Sequence, residues 1–139
     1  MATFNKFNSF ITAVATGTHA AFLNADTDVV KVYLSNAAPS ASLDLLKADI
    51  AEITNQNGYT APVDVQNAAT QTGGTITVTS TDVTITATGA VGPFQYAVLY
   101  NDTAVNDPLI GWYDYGSPVT MANGETFLID FGASLLTLG

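Results

Sequence analysis

The segment Gly92 to Gly116, GPFQYAVLYNDTAVNDPLIGWYDYG, leaves the chain few folds to choose from. It carries Phe94, Tyr96, Tyr100, Trp112, Tyr113 and Tyr115, including the only tryptophan of the protein. Two apolar, aromatic runs flank a polar connector, Asn101 to Pro108, as two long, heavily buried strands would. In the first run Phe94, Tyr96, Val98 and Tyr100 are expected to share one face, with Gln95, Ala97 and Leu99 on the other. A strand apolar on both faces belongs inside a sheet or under a second layer. Trp112 and Tyr113 are adjacent, so alternation sends them to opposite faces. If one fills the core, the other needs a cover of its own.

The rest of the chain reads as a frame around this pair. Phe4, Phe7, Ile11 and Val14 recur at helical spacing beside Phe10, predicting an amphipathic helix over 4–16, with Thr3 as N-cap and Gly17 as stop. Asp28 to Asn36 predicts a strand with Val30, Val32 and Leu34 on one face and Val29, Lys31 and Tyr33 on the other. Leu43 to Ile53 suggests one or two helical turns capped by Ser42. Asn57-Gly58 and Gly73-Gly74 mark turns, with a strand between Val63 and Thr72. In TITVTSTDVTITA, Ile76 and Val78, then Val83, Ile85 and Ala87, alternate with threonines, predicting a hairpin with one buried and one wet face. A last hairpin is expected from Ser117–Met121 and Thr126–Asp130 around Asn123-Gly124, and an edge strand at Leu135–Leu138. About eight short strands after one helix imply a mainly β chain: one antiparallel β-sandwich domain over residues 1–139 with an N-terminal amphipathic helix.

Composition narrows the function. The chain has 139 residues and no cysteine, which removes disulfides, thiolate metal sites and cysteine nucleophiles. Twelve acidic residues face only Lys6, Lys31 and Lys47, a formal net charge of −9 with no arginine. Phosphate recognition leans on Lys and Arg, so no nucleic acid is expected as partner, and no anionic membrane. No run approaches the ~18 apolar residues of a membrane span. Phe10 to Ala15 is apolar and ends in Ala13-Val14-Ala15, but Asn5, Lys6, Asn8, Ser9 and Thr12 break up a secretory h-region.

Candidate chemistry is thin. His19 is the only histidine; with no G-x-S-x-G elbow nearby it reads as structural, and alone it cannot build a zinc site. Asp26 with Asp28, and Asn101, Asp102, Asn106 with Asp107, supply oxygens of the kind calcium takes, yet these are also ordinary turn residues. Asp114 with Glu125 is a carboxylate pair that sequence neither suggests nor excludes for glycoside hydrolysis. No nucleotide-binding glycine motif occurs. No catalytic residue, cofactor or metal is expected. Trp112, Tyr113 and Tyr115 beside Asp114 could stack on a sugar or serve a protein contact. Phe4, Phe7, Trp112, Tyr113 and Tyr115 are the residues expected at an interface.

Four segments occur in order: KVYLSNAAP (31–39), ADIAEITNQNGY (48–59), GPFQYAVLYND (92–102) and GWYDYG (111–116). Together they resemble a group of small virion structural proteins encoded by tailed bacteriophages, over nearly the whole chain. The resemblance implies a capsid decoration (cement) or accessory head protein, made in the host bacterial cytoplasm and placed on the capsid exterior. Its partners would be the major capsid protein and copies of itself, expected as a trimer. Related small phage proteins serve in tails, so a tail or neck accessory role is the alternative, along with a glycan- or host-surface-binding module. The resemblance implies no catalytic residues.

Overall fold

A computed structural model describes residues 2–19 and 28–139. Among the described residues it is mainly β with antiparallel ladders and one short helix: β1 (Thr3–Lys6), α1 (Asn8–Ala15), β2 (Val30–Ser35), β3 (Val63–Asp64), β4 (Ala68–Thr72), β5 (Thr75–Thr79), β6 (Val83–Thr86), β7 (Val91–Asn101), β8 (Leu109–Met121), β9 (Thr126–Ile129) and β10 (Leu136–Leu138). They form sheets ordered β1-β8-β7-β2-β3, β10-β5-β4 and β6-β9.

The aromatic segment becomes the centre of the largest sheet. β7 lies between β8 and β2, so it needs apolar residues on both faces, and it has them. Tyr96, Val98 and Tyr100 face one way, while Ala97 and Leu99 join the larger core on the other side. Phe94 does not keep company with Tyr96 as simple alternation predicts. The β7–β8 register shifts between Phe94, opposite Val119, and Tyr96, opposite Asp114, and across this irregularity Phe94 turns into the larger core.

The larger core draws Val30, Val32 and Leu34 from β2, Val78 from β5, Val83 and Ile85 from β6, Tyr113 from β8 and Ile129 from β9, so all three sheets contribute to one apolar volume. The second cluster, Phe7, Tyr33, Ile50, Val98, Tyr100 and Leu109, lies on the opposite face of the five-stranded sheet. Ile50 and Ala61 bring the segment before β3 over it. Tyr59 ties that cover down: its hydroxyl accepts the Leu34 N–H at 2.8 Å and donates to Glu52 Oε1 at 3.4 Å. Glu52 in turn pairs with Lys47, whose ammonium stands 5.0 Å and 5.5 Å from the Tyr33 and Tyr100 ring centroids.

Several expectations are corrected. The helix is shorter than 4–16, because 3–6 pair with β8, Phe4 opposite Tyr113; Thr3 is a strand residue and caps nothing. Ile11 is 47% exposed and leaves the buried stripe, while Gly17, at φ +83°, ends the helix as expected. At 43–53 only a 3-10 turn, Lys47–Asp49, forms; the Asp49 carboxylate, not Ser42, accepts the N–H groups of Leu45 and Leu46, each at 2.9 Å. The predicted hairpin of 75–79 with 83–87 is absent. Its alternation is right, but β5 pairs with β4 across Gly73-Gly74 and with β10, while β6 pairs with β9. The hairpin around Asn123-Gly124 is likewise replaced. β8 runs on to Met121 beside β7, and the turn hands the chain to β9 in another sheet. Asn57-Gly58 and Leu136–Leu138 form the expected turn and strand. No helix among the described residues is long and apolar enough to cross a membrane.

Candidate functional site

Alternation along β8 separates Trp112 from Tyr113, as the sequence requires. Tyr113 is buried in the larger core between Phe4 and Phe131, with ring centroids 5.4 Å and 5.9 Å away. Burial, with the Asp130 and Asp82 charges adding to it, pushes its phenol up to about 12. Trp112 is half-buried on the opposite face, its ring centroid 4.6 Å from that of Phe7. The cover that Trp112 needs is therefore supplied, in part, by the chain's own N-terminal segment. Of the five residues expected at an interface, Phe7 and Tyr113 are consumed inside the protein, and Phe4, Trp112 and Tyr115 keep partial exposure. A sugar platform needs neighbouring rings on one surface, and Trp112 and Tyr113 do not provide it.

Tyr115 leads to a surface concavity. Its ring meets Phe127 edge-on at 4.9 Å, and Phe127 meets Phe94 in the same way at 4.9 Å, joining β8 to β9 and β7. Above this seam lies an open groove of ≈ 450 Å³. Ala2 and Thr3, Asp114 to Gly116, and Phe127, Leu128 and Asp130 line it. Asp114 Oδ1 accepts Gln95 Nε2 at 3.0 Å and the Gly116 N–H at 2.8 Å; Asp130 Oδ1 accepts the Gly132 N–H at 2.7 Å. Glu125, weighed in the sequence as a partner for Asp114, instead accepts the Ala122 N–H at 2.7 Å in its own turn.

The polar residues suspected of holding a cation are divided. Asn101, fully buried, gathers Asp28 and His19: its Nδ2 lies 2.8 Å from Asp28 Oδ2 and 3.0 Å from His19 Nδ1, and its Oδ1 accepts the N–H groups of Thr103 and Ala104 at 3.0 Å and 3.2 Å. With Nδ1 accepting, the imidazole is neutral. Burial lowers its pKa from the ordinary 6.5, against the raising effect of Asp28. Asp102 turns away to Lys31 at 2.7 Å and accepts the Tyr100 hydroxyl at 3.0 Å; the lysine's hydrogen bond holds its carboxyl below the usual range. Asp107 and Asn106 line a separate hollow of ≈ 320 Å³ with Leu46, Lys47 and Ala48. Asp26 lies outside the described residues. Among the described residues no three His, Cys, Asp or Glu side chains converge as a metal site would need.

Sequence reasoning missed one surface feature. Leu43, Leu45 and Val105 are 78%, 50% and 83% exposed. The segment that carries the two leucines is tied to the connector before β8: the Leu109 N–H donates to Leu45 O at 3.0 Å and the Lys47 N–H to Asp107 O at 2.9 Å. Helical spacing over 43–53 reads Leu43 as part of a buried face, and the structure leaves it in water. No family model, no curated protein and no solved structure matches this chain.

Proposed function

We propose that the protein is a structural component of a tailed-phage virion, a decoration protein that attaches to the outer capsid surface and stabilises the shell. The observation that carries this reading is the exposure of large apolar side chains, Leu43 and Val105 above all, with Leu45, Leu128 and Ile11 about half exposed. Apolar side chains left in water suit attachment to other chains. The neutral, threonine-rich strands and the segments resembling phage virion proteins agree with it. The fold reading that accompanies it is a two-layer sandwich, with the five-stranded sheet facing the two smaller sheets across their common core. The protein would act by number: many copies, assembled as closed trimers, each adding contact with the major capsid protein across a seam, with standard interfaces of about 1,600 Å².

The test is co-sedimentation with emptied tailed-phage capsids, with oligomer mass measured by light scattering. We expect a closed oligomer that pellets with capsids, and a Leu43→Glu/Val105→Glu variant that folds but stays in the supernatant. A wild-type protein that stays monomeric and does not bind would overturn the proposal. A reconstruction of the intact particle separates the head from the neck or tail alternative. The glycan-module alternative loses its best support, because Trp112 and Tyr113 lie on opposite faces.

A further inference from the structure

The groove above Tyr115 and Phe127 is bordered by two strands that each have an edge with no partner strand among the described residues. β1 ends one sheet and β9 ends another. The Phe7 N–H donates to Ile110 O at 3.2 Å, so Thr3, Asn5 and Phe7 direct their backbone groups to β8, and Phe4 directs its own away from it. In the same way the Ala87 N–H donates to Glu125 O at 2.8 Å, so Phe127 and Ile129 face β6. The N–H and C=O groups of Thr126 and Leu128 then point to the free side of β9, and Leu128 lines the groove. Free edges in natural sheets are normally blunted by lysine, proline or a covering segment. Here β9 reads TFLI, with neither lysine nor proline.

The groove's chemistry selects the occupant. Its lining mixes the Tyr115, Phe127 and Leu128 side chains with polar surface, and its two acidic side chains are Asp114 and Asp130. Lys31 and Lys47 are spent in ion pairs elsewhere, and Lys6 sits at the far end of β1, outside the lining. A second copy of this chain would bring another formal charge of −9 to an acidic surface. We infer that the groove is a strand-accepting site for a partner protein's extended, basic segment. Its backbone adds to the β9 edge, its apolar side chains rest on Tyr115 and Phe127, and its lysines or arginines meet Asp114 and Asp130. This inference stands apart from the capsid reading and from the exposed Leu43, Leu45 and Val105.

The probes are an eight-residue peptide alternating Lys and Val, its Glu–Val counterpart, and two versions of the basic peptide N-methylated on every lysine or on every valine. Binding is read by calorimetry and by amide hydrogen exchange. The basic peptide should bind and slow exchange at the Thr126 and Leu128 amides. One N-methylated version should fail while the other binds, because only one edge of the peptide pairs. An Asp114→Asn/Asp130→Asn variant, which keeps the acceptor oxygens, should bind at least tenfold more weakly. Equal binding of the acidic peptide, equal behaviour of the two N-methylated versions, or binding without protection of those amides would overturn the inference. Protection that rises with protein concentration alone would assign the groove to a second copy and overturn it too.

Discussion

Asn101 shows what one side chain can hold. Every hydrogen-bonding position of its amide is engaged, joining the start of β2, the end of α1 and the connector after β7. Removing it strands Asp28 and two backbone N–H groups, so Asn101→Ala should cost about 2–4 kcal/mol, measured by urea denaturation. Gly111 is constrained differently: a Cβ there would stand 2.5 Å from both the Phe4 ring and the Asn5 carbonyl oxygen. Gly111→Ala should cost about 1–3 kcal/mol and loosen β1, seen as faster exchange of the Asn5 amide. His19 makes stability depend on pH. Its folded-state pKa lies below 6.5, so the unfolded chain takes up the proton first. Stability is therefore complete above about pH 6.5 and falls as the pH drops toward the folded-state value. Urea midpoints at pH 7.5 and 5.5 should differ for the wild type more than for His19→Gln. Asp102, whose pKa is lowered by Lys31, works in a lower window, losing its contribution only in stronger acid. Sequence pointed to these residues as polar and singular, but not to their meeting: the β2–β7 ladder sets Asp28 beside Asn101, and His19 reaches them from beyond α1.

At the scale of elements, periodicity spoke clearly and pairing did not. The alternation in 75–87 identified which residues of β5 and β6 face inward, because that follows from local geometry alone. It said nothing about partners, and the shortest connection proved the wrong guess. Two neighbouring strands enter different sheets, and the Thr–Thr pairs form instead as Thr70 with Thr77, Thr72 with Thr75 and Thr86 with Thr126. Helix α1 failed at its start for the same reason. Phe4 and Phe7 recur at helical spacing, yet β8 offers residues 3–6 a ladder, which satisfies their backbone better than an uncapped turn. Eight residues are also too few to stand alone, since isolated helices need about 12–15. A peptide of residues 3–17 should show no helical circular dichroism in water; strong helicity would mean that local propensity, and not packing on the sheet, holds α1.

For the whole molecule, the aromatic segment was legible as the centre from sequence alone, because a strand apolar on both faces has few places to go. The groove was not, since it arises where residues 2–3, 114–116 and 127–130 come beside one another. Distant pairing also sets the kinetics. β1 waits for β8, and β2 for β7, so folding should be slow, in the range of milliseconds to seconds. Stopped-flow fluorescence can follow it, because Trp112 gains Phe7 as a neighbour only when the N-terminal segment docks. The charge of −9 adds a second expectation: raising the salt should screen self-repulsion and increase the urea midpoint. Finally, β1 and β10 belong to different sheets, with the larger core between them. Each is the edge strand of its sheet, held by one ladder, β1 to β8 and β10 to β5. A pull between them therefore tests those two outer ladders first, and the central β7 and β8 bear tension only after an edge has given way.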